Sequence, residues 1–581
     1  MKEQFAGGPA TWRTEVTGTR HMIAAGHHMA AQAGFEILES GGNAVDAGVA
    51  AGIALGVLES QMVNVAGVAP IMIYLADSGR VVTISGLGTW PRTATLEMFV
   101  EMHGGHIPPG ILRTVVPAAP DAWITALEQF GTMSFGDVAS AAIRFAGEGF
   151  PMYPLMAECI ADRAEEFGRW SSTADVYLPG GHPPNPGDLF KQTDLARSLQ
   201  YLADEERAAA SEGREAGLQA ARHAFYRGDL ASTIVDFHRQ HDGLLTMEDL
   251  AGFRVDIEDP VRCTYRGIDV YTCGPWCQGP ALLQMLSILD GIDLSALGHN
   301  SPAYLHTVIE AMKLAFADRE RFYGDPRFVD VPMDALLDSG YAASRRALIR
   351  AGSASPNLPP PGAPQANPVD PGDPEVSTIE PGDANTLLDT SYVCAVDADG
   401  NAFSATPSDV SYDAPVVPGT GLCPSSRGSQ SWAVPGHPSS VAPGKRPRLT
   451  PCPGLAIKPG EFVLPLGTPG GDVQTQAMLQ SLLNVVVFDM SPQQAVEQPR
   501  VATWSAPNSF EPHTAQPGRI TLESRLPVST GDQLGQWGHD VDWWPQASWR
   551  AGSVCMIKAD RETGVIRGAS DFRRQALVLG W

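Results

Sequence analysis

The 581-residue chain is poor in positive charge: 40 lysines and arginines face 65 aspartates and glutamates, a formal net charge of −25. That deficit argues against a nucleic-acid or anionic-membrane partner, which needs a basic surface. Long apolar runs are also lacking. The start, MKEQFAGGPATWRTEVTGTRHMIAAGHH, has none of signal-peptide length, and no later stretch is long enough to span a bilayer. The expectation is a cytoplasmic protein. Cysteine is sparse and scattered: Cys159, Cys263, Cys273, Cys277, Cys394, Cys423, Cys452 and Cys555 form no paired Cys-x-x-Cys blocks. Cys273 and Cys277 stand near each other, but no second pair follows at zinc spacing, so the thiols read as buried and inert. No metal-ligand spacing occurs elsewhere. The stretch GTPGGD lacks the lysine of a phosphate-binding loop. Neither a metal nor a cofactor is expected, and there is no internal repeat.

What is present is a globular composition, 43% hydrophobic and 18% charged, in a chain long enough for a large core. Residues 25–58 read as helix, loop, helix, with apolar residues at three- and four-residue steps on both sides of Ser40-Gly41-Gly42. Asn43 is a good N-cap for the second helix, whose Ala, Gly, Val, Ile and Leu content predicts burial all round. Ile71 to Gly86 reads as a hairpin about an Asp-Ser-Gly turn. Helical patterns dominate from about Pro120 to Ile349. Residues 353–386 are crowded with proline and read as an extended, exposed linker. After it come β-like runs at 391–396, 402–406, 453–457, 461–466 and 553–558, and a helix-like run, TQAMLQSLLNVVVFDM, behind Gly470-Gly471.

The junction of linker and β-rich part carries the chemistry. In LLDTSYVCAVDADGNAFSATPSD (Leu387–Asp409), a turn at Ala398-Asp399-Gly400 pairs residues whose numbers sum to 798, which puts Thr390 opposite Ser408. The exposed linker before it makes the Asp389–Thr390 bond reachable. Cleavage there gives Thr390 a free α-amine of reference pKa roughly 7.7–8.0. One residue then supplies both nucleophile and base.

Nine strings, in order, resemble the γ-glutamyltranspeptidase family of N-terminal nucleophile hydrolases. They are ILESGGNAVDAGVA, FYRGDLA, DLAGFRV, CGPWCQGPALLQML, EAMKLAFADRERFYGDP, the Thr390 stretch itself, PGKRPRLTPCPGLA, GTPGGDVQTQAMLQ and EQPRV. The resemblance covers nearly the whole chain. It implies an α+β fold, the four-layer αββα sandwich, made as one precursor. Residues 1–389 would form a large subunit and 390–581 a small one, sharing one core as an αβ heterodimer. It also implies Thr390 as nucleophile, Ser408 as the hydroxyl that bonds it, and Gly470 and Gly471 as the oxyanion-hole pair. Two glycines before a helix suit that task on physical grounds, since bare backbone N–H groups approach a ligand closely there.

Three departures from the family bear on substrate. Leu87 stands where the carboxylate-gripping arginine is expected, with Arg92 five residues on. Pro447 and Arg448 replace a serine pair, and Gln430 replaces the amine-binding aspartate. Leu87 offers no charge-assisted fork, and Gln430 brings no charge to an ammonium. Arg427 and Arg448 remain as candidate carboxylate holders, and Asp409, beside Ser408, joins Gln430 among the substrate-binding residues. His27 and His28 read as surface or capping residues. The resulting expectation is an autoprocessed amide hydrolase acting on a small or acyl-bearing amide. Two alternatives stand beside it: a true γ-glutamyl transferase, and an uncut, inactive member that serves as a binding protein.

Overall fold

Strand Met22–Ala25 is buried at every residue, and its side chains alternate between two cores. Met22 and Ala24 face one core, where they join Tyr392, Cys394, Val396, Leu455, Cys555 and Ile557. Ile23 and Ala25 face another, built with Val393, Ala395 and the helix Ala44–Leu58. A third core packs Ala456, Leu464 and Met556 against the helices Gly279–Leu289 and Gln474–Val486. Two sheets with a core between them and helices on both outer faces make an αββα sandwich. The computed structural model describes residues 11–364 and 389–581.

The sheets have seven strands each. One runs Leu577–Gly580, Met22–Ala25, Val393–Val396, Ala402–Ala405, Ile71–Leu75, Arg80–Ile84, Ile257–Glu258. The other runs Val16–Gly18, Ile566–Ser570, Cys555–Asp560, Phe462–Gly467, Gly454–Lys458, Ile268–Thr272, Val261–Tyr265. Both sheets therefore combine strands from before and after residue 389. Among the described residues no helix is long and apolar enough to cross a membrane.

The helix Ala44–Leu58 is buried at all 15 residues and starts in a capping box of Asn43 and Asp46. It lies so near the sheet that a Cβ on Gly48 would come within 2.1 Å of the Phe403 ring. Its first N–H, on Ala44, donates to Asp397 Oδ2 at 3.0 Å. The same carboxylate accepts from Asp399 and Asn401, so one side chain shapes the hairpin turn and ties it to the helix. The hairpin register is the expected one, with Val393 opposite Ala405 and Val396 opposite Ala402. It continues past the strand ends, where Ser391 N–H donates to the Pro407 carbonyl at 3.0 Å.

The described part of the proline-rich stretch, residues 353–364, is exposed or half-buried apart from Pro364. Residues 365–388 lie outside the described residues. Residues before them are not free chain: Ser355 bonds Glu310 through its N–H and hydroxyl, and Gly362 N–H donates to Asp318. Side-chain acceptors on one long helix, Pro302–Phe322, hold backbone that composition alone marks as exposed.

Candidate functional site

The hairpin delivers Thr390 and Ser408 side by side, their hydroxyl oxygens 2.6 Å apart. Thr390 Oγ1 also donates to Asp389 Oδ1 at 2.8 Å. Ser408 Oγ lies 3.2 Å from Asp389 Oδ2. The Arg427 guanidinium pairs with Asp389 Oδ2 and donates to Ser408 Oγ. Its Nε faces Asp409 Oδ2 at 3.6 Å. Asp389, Thr390, Ser408 and Asp409 are all 0% exposed. The bond between Asp389 and Thr390 is thus buried, against the expectation of an exposed one, because the chain dives into the sandwich at this junction. A reaction there has to be carried out by groups inside the protein.

Thr390 holds φ +87, a strained conformation for a β-branched residue. It is fixed on both sides: its N–H donates to the Met62 carbonyl at 3.0 Å, and its carbonyl accepts from Arg574 Nη1 at 3.0 Å. Gly470 N–H donates to the carbonyl of Asp389 at 3.3 Å. Gly470 has φ +127, a region open to glycine, and this conformation aims its N–H at that carbonyl. Gly471 is held differently, through its own carbonyl, which accepts from Gln278 Nε2 at 2.8 Å.

Beneath the two glycines lies a charged foundation. Arg319 bonds Gln278 and pairs with Asp472, and Asp472 accepts from Ser509 N–H and hydroxyl. Burial pushes the Asp472 carboxyl up, but Arg319 and the Ser509 bonds overcome it and hold it below the usual range. The next residue, Phe510, lies with its ring 5.4 Å from the Arg427 guanidinium. For Asp409 the balance goes the other way: burial raises its carboxyl pKa despite Arg427, Ser425 and Ser426.

Of the expected residues, Thr390, Ser408, Asp409, Arg427 and Gly470 meet around one peptide bond. Arg448 does not join them. It is buried but committed elsewhere, to Glu320 at 3.0 Å and the Arg319 carbonyl at 3.2 Å. Gln430 is paired with Thr450, donating to its hydroxyl at 2.8 Å. Leu87 is buried in the core below the second sheet, and Arg92 sits at the surface against Glu248. Neither offers a cation to the Thr390 region. His27 caps the helix His28–Glu39, and burial, with His28 nearby, lowers its pKa to about 3. The sequence reading missed Gln474, whose Nε2 lies 3.4 Å from Thr390 Oγ1, and it missed the Asp389 side chain, named only as one side of a bond. Gln474 opens the helix behind the glycine pair, a position that pointed toward it.

One cluster elsewhere brings together metal-ligand types: His306, Glu310 and His539. Glu310 is already paired with Lys313 at 2.8 Å, and His306 bonds His539 and the Arg350 carbonyl. An ammonium in the cluster opposes a bound cation, and these groups serve as polar ties in the core.

Residues 30–581 match the family model described as gamma-glutamyltranspeptidase, and the chain belongs to that family. Over 570 residues it is 34% identical to the acylase ACY 1 proenzyme of Pseudomonas sp. (strain V22), covering 96% of this chain and 93% of that one. It is 30% identical over 571 residues to the glutathione hydrolase proenzyme of Bacillus subtilis (strain 168), covering 97% and 92%. The solved structure of cephalosporin acylase from Bacillus halodurans superposes with a TM-score of 0.84 at 29% identity, over 100% of this chain and 99% of that one. The fold is therefore that of the N-terminal nucleophile hydrolases, and the protein is an enzyme of the γ-glutamyltranspeptidase family.

Proposed function

We propose that the chain is a precursor that cuts itself between Asp389 and Thr390 and then works as an acylase through Thr390. The observation that carries this reading is the arrangement on one peptide bond. The Thr390 hydroxyl is bonded to Ser408 at 2.6 Å, and the adjoining Asp389 carbonyl accepts from Gly470 N–H at 3.3 Å. A nucleophile with an N–H donor on the carbonyl it would attack is the apparatus of acyl transfer. Interleaving of strands from before and after residue 389 supports a cut product whose large and small parts stay together.

In the mature enzyme the new α-amine takes the Thr390 hydroxyl proton, and Oγ attacks a substrate amide. Gly470 holds the oxyanion, the amine passes the proton to the leaving nitrogen, and water resolves the acyl-enzyme. Cleavage also frees Arg427 from Asp389. The acyl group that Asp389 presents has a carbonyl, two carbons and a carboxylate. We infer that the preferred substrates are amides of short acyl groups ending in a carboxylate, met by Arg427. The acylase names of two of the similar proteins support the acylase part of this reading.

A true γ-glutamyl transferase is favoured by the likeness to the glutathione hydrolase. It is disfavoured by the apolar Leu87 and by the surface position of Arg92. The test assays succinyl-, glutaryl- and γ-glutamyl-p-nitroanilide side by side, with and without an acceptor dipeptide. We expect the first two to exceed the γ-glutamyl compound by at least about thirtyfold, from about 2 kcal/mol or more for an unmet charged end. Efficient γ-glutamyl transfer to the dipeptide would overturn the reading.

A further inference from the structure

The uncut chain has no α-amine at Thr390, so the base proposed for the mature enzyme is absent when the first bond has to break. Another group stands in its place. We propose that the Asp389 carboxylate is the general base of maturation, a catalytic residue used once and then separated from the nucleophile by the cut it makes. This rests on Thr390 being the nucleophile.

The two oxygens of Asp389 have separate tasks. Oδ2 is anchored by Arg427 and lies 3.2 Å from Ser408, while Oδ1 receives the Thr390 hydroxyl at 2.8 Å. The donors around them set the direction of the protons. The Arg427 guanidinium and the Nε2 group of Gln474 can only donate, and they point at Ser408 Oγ and Thr390 Oγ1 respectively. With Ser408 receiving from Arg427, its own proton is shared between Thr390 Oγ1 at 2.6 Å and Asp389 Oδ2 at 3.2 Å. On either course the Thr390 proton goes to the acceptor-only Oδ1 of Asp389.

Asp389 is the carboxylate that the Thr390 hydroxyl is bonded to. Asp409 accepts from the Ser425 and Ser426 hydroxyls. Glu59 has a raised pKa, caused by burial and opposed by Arg574, and it is not bonded to Thr390 Oγ1. The same residue that supplies the base also supplies the carbonyl held by Gly470, and the strained φ of Thr390 is the torsion next to the bond that breaks.

The step balances with water as the sole co-reactant. The Thr390 Oγ proton moves to Asp389 Oδ1 as Oγ bonds to the Asp389 carbonyl carbon. Negative charge gathers on the carbonyl oxygen beside Gly470 N–H. Collapse breaks the C–N bond, and the proton on Asp389 passes to the leaving nitrogen. The product is an ester of Asp389 on Thr390 Oγ with a free α-amine. Water then hydrolyses the ester, leaving the α-carboxylate of Asp389 and the threonine hydroxyl.

The experiment follows maturation of purified full-length chain by intact mass, with turnover measured on the matured fraction. Asp389→Asn, close in size, should mature at least about a hundredfold more slowly than wild type, in line with the worth of a general base. The smaller product of this slow cut should still begin Thr-Ser-Tyr, which shows that the same bond is broken. A second pair guards against loss of soluble Asp389→Asn: Asp389→Glu should mature at least tenfold faster than Asp389→Gln. The proposal is overturned if Asp389→Asn matures within threefold of wild type, or if the Gln variant matures as fast as the Glu variant. Those outcomes leave the Thr390 reading intact, whereas a wild-type chain that is active but never cut between Asp389 and Thr390 removes both.

Discussion

Arg427 and Arg448 belong to the same stretch of loop, and both are about 1% exposed, yet their surroundings assign them opposite parts. Arg427 is bonded to Asp389, the residue that the proposed cut would separate from Thr390, and to the hydroxyl of Ser408. Arg448 is bonded to Glu320, which remains, and to a helix carbonyl of Arg319. Burial lowers the Arg448 pKa with help from the like charge of Arg319, while Glu320 opposes both. The difference teaches that a buried cation is read by the permanence of its partner. On the function we propose, one arginine becomes available to a substrate carboxylate, while the other is tied to the Arg319 that pairs with Asp472 behind the Gly-Gly loop.

The largest effect tests the frame of that comparison. Thr390→Ala should leave the chain uncut, seen as a single species by intact mass, and without measurable amide hydrolysis. In the wild type, N-terminal sequencing of the smaller product should begin Thr-Ser-Tyr. An active Thr390→Ala protein would remove the basis for treating Arg427 as released.

Next comes Arg427 itself. In matured enzyme, Arg427→Met should lower kcat/KM for carboxylate-ended acyl amides by about 30-fold to several thousandfold. This follows from roughly 2–5 kcal/mol for truncating one partner of a buried charge pair. Amides of uncharged acyl groups should lose far less. Equal losses for both classes would place Arg427 outside substrate recognition.

Arg448→Met should do the reverse. It removes one of the two cations bonded to Glu320, which keeps Arg319 at 2.8 Å, and loss of roughly 2–3 kcal/mol of stability is expected, read by denaturant unfolding. Turnover per folded molecule should stay near wild type. A variant of wild-type stability with impaired kcat/KM would return Arg448 to the substrate site and erase the contrast with Arg427.

Much of this was legible in the sequence, and what was not has a physical cause. The pairing of Thr390 with Ser408 followed from the period of a hairpin about an Asp-Gly turn, because strand register is a local, arithmetic property. The cap at Asn43 and the all-round burial of the helix it starts followed from residue type. The partners of Arg427 and Arg448 did not, since Glu320 lies over a hundred residues from Arg448 and is joined to it only by the fold. The burial of the Asp389–Thr390 bond was also missed. Proline content describes residues 353–386 as a group, but it cannot show that the chain enters the sandwich at their end. Asp389 went unread as an acid because attention fell on the bond it makes rather than on the side chain it carries.

The smallest expected effect concerns the foundation on the Arg448 side, through acid. Asp325 accepts from Arg446 at 3.0 Å and from Arg327 at 2.8 Å. Burial alone would raise its carboxyl pKa, but these bonds win and hold it at about 2, against an ordinary 3.8. A carboxylate whose folded pKa lies below its unfolded one stabilises the protein above the unfolded value. That contribution fades as pH falls from about 4 through about 2. The shift corresponds to roughly 2 kcal/mol at neutral pH. Asp325→Asn should therefore be less stable than wild type by about that amount at pH 7, with the two unfolding curves converging as pH falls toward 2. Arg446 keeps Glu258 at 2.8 Å as a second partner, so the variant is expected to fold and to cleave normally. A gap between variant and wild type that persists unchanged into acid would show that Asp325 acts by packing rather than by charge.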